Sequence, residues 1–339
     1  RRPSGSSVAQ PEQARLALDL GGVAVGVVAP SASALRPLAL VLEAFVTGPT
    51  SSPRWHILLL DRPALPFDPR LDPPRDGALP EGTPLRSAWG PGGRQLLVDG
   101  RLGIRIDYRR RLVVCRLGGA PGLLATTAGI AVLDAILERE GQHLVHAALL
   151  ALPPALGEGA MLLIGESGAG KSSTALALAR GGWALAADDA AVLHDDGAGG
   201  VAAWGFPRDL KVHPITAGLL PWLQGLVRPD GDDEVEVSTL ALAGLVPLVP
   251  EGRRLPIRAL AFLGPRGPAH RLVRLGASEA AVRLAAGQLF APDRRLSSAV
   301  SEQFRLMTRL AAGARWRLDL SLGPDLLGLP AWLEATLAR

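Results

Sequence analysis

Nine consecutive residues, Gly165-Glu166-Ser167-Gly168-Ala169-Gly170-Lys171-Ser172-Ser173, have the types and spacing of a phosphate-binding loop. The apolar run Met161-Leu162-Leu163-Ile164 precedes them and a helix-prone run over residues 174–180 follows, the strand–loop–helix setting in which such a loop works. Gly165, Gly168 and Gly170 let the backbone turn its N–H groups toward phosphate oxygens, where a Cβ would crowd them. The helix starting near Lys171 adds the positive end of its dipole, Lys171 can bridge the β- and γ-phosphates, and the Ser172 hydroxyl can ligate magnesium. Of 36 basic residues only Lys171 and Lys211 are lysine. A compact ammonium suits a phosphate cradle, which marks Lys171 as chosen for chemistry and leaves Lys211 open.

Asp188 and Asp189 end the apolar run Trp183-Ala184-Leu185-Ala186-Ala187, so two carboxylates emerge where a buried strand reaches solvent. Phosphoryl transfer needs an acid at such a strand end to hold the metal, and sometimes a second to take the acceptor's proton. The bland alternative is an acidic turn closing a strand. His146 opens His146-Ala147-Ala148-Leu149-Leu150, where a histidine read alone is a satisfied core or edge residue. Gly205-Phe206-Pro207-Arg208-Asp209-Leu210-Lys211 sets two cations three apart after a proline-stiffened turn, either facing phosphates or lying on an exposed loop. Residues 229–236 are strongly acidic and read as a solvated loop, with acceptor docking or metal attraction as the sharper alternative.

Length and composition bound the elements that must position these groups. A chain of 339 residues, rich in alanine, leucine, glycine and arginine and poor in aromatics, is expected to be an α/β protein of two domains. Residues 1–13 read as a disordered tail. Residues 14–119 read as an N-terminal α+β domain with strands at 16–20, 23–28 and 55–60, an irregular connection over 63–91, and a hairpin over 102–117 turning at Arg109-Arg110-Arg111. Residues 120–339 form the second domain, opened by a helix over 122–140. Its strands are expected at 144–152, 161–164, 183–187, 191–193, 201–204, 258–263 and 271–275, and its later helices at 279–289, 300–312 and 324–338. Strands on both sides of a phosphate-binding helix predict a mixed sheet with helices packed against it.

A formal charge of +4 is small for this length, and no arginine stripe is interleaved with aromatics, so nucleic acid is not implied. Cys115, the single cysteine, excludes an intramolecular disulfide framework and a multi-cysteine metal site; within Leu112-Val113-Val114-Cys115 it reads as a core residue. Apolar stretches are too short or too broken by proline and glycine to span a bilayer, and no signal-peptide pattern is present. The expectation is a cytoplasmic enzyme with no membrane partner.

In order and spacing these residues resemble the catalytic domain of the bacterial HPr kinase/phosphorylase family and its looser relatives, which share a fold with phosphoenolpyruvate carboxykinase. The family's histidine before a short strand falls on His146 and its G-x-S-G-x-G-K-S loop on residues 165–172. Its R-G-G or R-G-H helix end falls on Arg180-Gly181-Gly182, and its A-D-D strand end on Ala187-Asp188-Asp189. The resemblance covers residues 144–211 well and the rest of the C-terminal half weakly. It implies a mixed-sheet α/β P-loop kinase domain, here preceded by a smaller β-rich domain, that transfers the γ-phosphoryl group of ATP to a serine hydroxyl with magnesium. In that scheme Asp189 accepts the proton, Lys171 steadies the phosphates and His146 supports the site. Ser172 and Asp188 would hold magnesium, and Arg208 would neutralise developing charge.

Three departures bear on the acceptor. The family's E-I-R-G-L-G segment, with its metal-binding glutamate, is replaced by Ala203-Trp204-Gly205-Phe206-Pro207-Arg208, and its P-x-R-P-G-R-N segment is echoed only by Pro265-Arg266-Gly267. The N-terminal half also differs. These differences argue against HPr as acceptor and against reverse phosphorylase activity, leaving another peptide or protein hydroxyl, with a peptide serine suggested by relatives in peptide-modifying clusters. The competing reading is a regulatory module that binds or hydrolyses ATP without kinase activity. A transport-type ATPase would need an L-S-G-G-Q-like helix start, and carboxykinase chemistry an oxaloacetate-binding arginine set; neither is found. Family members form hexamers, so a homo-oligomer is an expectation from the resemblance alone.

Overall fold

Where apolar side chains recur at every second residue the chain is strand, and in the first half this pattern dominates. The structure, a computed structural model, describes residues 13–48, 52–79, 81–166, 168–206, 209–228, 233–288 and 298–339. Two units emerge, Arg1–Glu140 and Gly141–Arg339. In the first, β1 (Ala14–Asp19), β2 (Ala24–Ala29), α1 (Ala32–Leu42), β3 (Trp55–Leu60), β4 (Arg75–Ala78), β5 (Pro84–Gly90), β6 (Gly93–Val98), β7 (Leu102–Asp107) and β8 (Leu112–Arg116) precede α2 (Thr127–Arg139). The strands form one sheet in the order β1-β2-β3-β8-β7-β6-β5-β4. Alternate residues Trp55, Ile57 and Leu59 of β3 are buried, as are Val25 and Val27 of β2 beside them. Cys115 on β8 is buried as expected, and burial pushes its thiol up to about 12.

Two expectations for this half need correction. Residues 63–91 are not wholly irregular: they hold β4 and β5, whose signal was hidden because β4 is exposed throughout and shows no apolar alternation. The division between units falls after Glu140, so the helix expected to open the second domain belongs to the first. Packing explains this. Gly129 of α2 sits against Leu38 of α1, whose Cδ1 lies 3.6 Å from where a Cβ would stand. Glu140 accepts a hydrogen bond from Trp55 Nε1 at 2.9 Å and pairs with Arg54 at 2.7 Å.

The second unit contains β9 (Gln142–Val145), β10 (Ala148–Ala151), β11 (Ala160–Ile164), α3 (Lys171–Arg180), β12 (Ala184–Ala187), β13 (Ala191–Asp195), β14 (Val201–Gly205), β15 (Leu210–Val212), α4 (Pro214–Leu219), β16 (Val235–Val237) and α5 (Thr239–Leu242). It continues with β17 (Leu255–Leu263), β18 (Arg271–Arg274), α6 (Ala277–Gln288), α7 (Ser298–Gly313), β19 (Trp316–Ser321) and α8 (Leu329–Leu337). The main sheet runs β12-β10-β11-β17-β14-β13-β9, with β19 pairing β17 and β18, and it is mixed: β11, β17 and β19 are parallel, the other pairs antiparallel. Both faces of its centre are buried, which is why β11 reads as a continuous apolar run. Met161 and Leu163 pack into a core with α3, α4 and α8, while Leu162 and Ile164 pack on the other side with α6 and α7. The single strand expected over residues 144–152 is two strands in different places, β9 beside β13 and β10 between β11 and β12. β15, β16 and β19 add to the expected strands, α4 and α5 add to the expected helices, and the last helix starts at Leu329 rather than at 324. No helix of the described residues is long and apolar enough to cross a membrane.

Candidate active site

The loop joins β11 to α3 at the parallel centre of the sheet. Gly168 and Gly170 both have left-handed backbone, at φ +79° and +93°, which side chains other than glycine rarely adopt. Gly170 is the N-cap of α3 and offers no side chain to the first helical turn, so the N–H groups of that turn are left for an anion. Gly165 is needed for a different reason: a Cβ there would lie 3.1 Å from both Ala169 Cβ and Leu263 Cβ. The Lys171 ammonium curls over the loop and donates to the carbonyls of Gly165 at 2.8 Å and Glu166 at 3.1 Å. Burial lowers its pKa from the usual lysine value, against an upward pull from Asp189 and Asp188.

The two aspartates follow β12 into the same cleft. Between β10 and β12 the register shifts at Leu149/Leu150, leaving Ala186 as an extra residue that re-aims the chain before Asp188. Gly205 at the end of β14 accommodates that bulge, since a Cβ at 205 would lie 2.0 Å from the Ala186 carbonyl oxygen. Asp188 is buried and Asp189 half-exposed. His146 lies in the break between β9 and β10, and its Nδ1 is 3.0 Å from Asp189 Oδ1 and 3.1 Å from the Asp189 carbonyl oxygen. The break that divides the expected long strand thus puts the histidine onto the acid.

A cleft of about 970 Å³ unites these groups: His146, Gly168, Gly170, Lys171, Ser172, Ser173, Asp188 and Asp189 all line it. That volume matches the range of small-molecule sites. Gly165, Glu166 and Ala169 lie beneath, contributing carbonyls and packing, and the Ser173 hydroxyl is spent on Thr216 Oγ1 at 2.8 Å. Ser167 and Arg208 lie outside the described residues. Several wall residues come from segments whose role the sequence leaves open. Arg266 brings Nη2 within 3.5 Å of the point above Gly170 where a Cβ would stand. Lys211 and Asp209 line the cleft, as does Glu234 of the acidic segment, whose end forms β16 rather than a loop; residues 229–232 lie outside the described residues. Among the described residues no three His, Cys, Asp or Glu side chains are grouped as a metal cage.

No protein-family model matches the chain, and no curated protein matches it. Among solved structures, the HPr(Ser) kinase/phosphatase from Coxiella burnetii is similar over 58% of this chain and 94% of that one, at 16% identity and a TM-score of 0.29. A score that low establishes no shared fold.

Proposed function

We propose that this protein is a kinase that transfers the γ-phosphoryl group of ATP to a hydroxyl, a serine in a peptide or protein, and that the cleft beside α3 is its active site. One observation carries the reading: an uncapped helix start, a lysine and a pair of aspartates, one held by a histidine, line a single cleft. Loop and helix N–H groups with Lys171 bind the triphosphate, and Arg266 adds a guanidinium beside Gly170. Ser172 and Asp188 line the cleft with hard oxygen donors and would hold a magnesium ion, which when bound would screen the phosphate charge.

In the transfer, the acceptor oxygen forms a bond to the γ-phosphorus as the bond to the β,γ-bridging oxygen breaks, and ADP leaves. The acceptor's proton passes to Asp189. His146 Nδ1, 3.0 Å from Asp189 Oδ1, fixes the orientation of that carboxylate. Lys171 follows the charge that builds on the leaving phosphate.

Gly205 and Phe206 bring no carboxylate to the cleft, and this favours a second reading, an ATP-binding or hydrolysing regulatory module. Incubation with γ-labelled ATP, magnesium and a library of serine-containing peptides separates the two. Label in a phosphoserine supports the kinase; free phosphate with no labelled peptide or protein supports the module.

A further inference from the structure

Both lysines of this arginine-rich chain line one cleft. Of its 36 lysines and arginines, the described ones that do so are Lys171, Lys211 and Arg266. A chain that writes its positive charge almost everywhere as guanidinium keeps ammonium at two positions, remote in sequence, that the fold brings to the same site.

Local structure holds Lys211 in place. Along β15, Leu210 and Val212 are buried in the core that also takes Leu176 and Leu178 of α3, and Lys211 between them faces outward. β15 is paired with β16, Lys211 standing opposite Glu236. The next helix, α4, is tied to the first turn of α3 by the bond between Thr216 and Ser173. Among the described residues the Lys211 ammonium makes no hydrogen bond or ion pair, so its donors are available to a ligand.

We propose that Lys211 is a second triphosphate-binding ammonium, contacting non-bridging phosphate oxygens of the nucleotide that Lys171 also holds; this rests on the phosphoryl-transfer reading of the cleft. An ammonium with three rotatable donors fits among phosphate oxygens that face several ways, whereas guanidinium asks for a planar pair of acceptors. The rest of the cleft decides between nucleotide and acceptor. Asp188, Asp189, Asp209, Glu234 and Glu251 line it and repel any anion; a triphosphate has the start of α3 and Lys171 to offset that repulsion.

Isothermal titration of wild type, Lys211→Met and Lys211→Arg with ATP and with inorganic tripolyphosphate, in magnesium and at two salt concentrations, tests this. Lys211 is exposed, so neither variant empties the core. Lys211→Met is expected to bind both ligands about tenfold more weakly, Lys211→Arg to recover part of the loss, and the gap to narrow as salt rises. Undiminished affinity of Lys211→Met for both ligands overturns the assignment and leaves the kinase reading standing. Weakened ATP with normal tripolyphosphate also overturns it, placing Lys211 on the nucleoside. Wild-type protein that binds neither ligand overturns both proposals.

Discussion

Lys171 joins the two halves of the candidate chemistry. Its backbone opens α3, its ammonium is tied to two loop carbonyls, and it lies within reach of the charge on Asp189 and Asp188. An anion arriving at the loop offers that ammonium stronger, charge-assisted partners than neutral carbonyls. Lys171→Ala should therefore weaken ATP binding at least about a hundredfold, as the loss of a charged contact at a buried side chain, and calorimetric titration reads it directly. These residue types were legible because lysine, paired aspartates and a glycine-spaced loop are scarce in a chain built from alanine, leucine and arginine. The contact between His146 and Asp189 was not, because no spacing rule joins positions so far apart.

At the scale of elements, the site depends on how β12, β14 and α3 meet. The bulge at Ala186 turns the chain toward Asp188, and Gly205 leaves room for the bulged carbonyl. Gly205→Ala drives a methyl into backbone that cannot retreat and should cost about 1–3 kcal/mol in urea unfolding, with loss of transfer. Stability should also respond to acid through β9. His143 is buried there, and burial lowers its pKa from 6.5 to about 4; His194 on the neighbouring β13 is lowered for the same reason. Above about pH 6.5 neither the folded nor the unfolded chain protonates His143. As pH falls toward 4 the unfolded chain takes a proton that the folded one refuses, so stability drops by up to about 3 kcal/mol across that window. His143→Leu should flatten this slope when unfolding midpoints are followed from pH 7 to pH 4. Strand ends, bulges and the break at His146 escaped the sequence because residues 144–152, His146 apart, are apolar enough to read as one strand, and tertiary pairing alone separates β9 from β10.

Over the whole molecule, what could be read ahead was set by burial. The mixed sheet of the second unit was foreseeable because its central strands are buried on both faces and carry unbroken apolar runs. β4 and β19 were not: the first is exposed throughout, and the second alternates in a way that a helix-prone neighbourhood obscures. The boundary after Glu140 went unread because α2 looks the same whichever unit it packs on, and its partners Leu38 and Trp55 are distant in sequence. The proposed chemistry turns on Asp189 taking a proton while the loop beside it holds ATP. The most direct measurement compares wild type with Asp189→Asn, reading ATP affinity by calorimetry and the single-turnover rate of label transfer from γ-labelled ATP to the peptide that wild type modifies. ATP affinity is expected to stay within about twofold and transfer to slow by about a hundredfold or more. Transfer by Asp189→Asn at the wild-type rate would contradict the proposed role of Asp189.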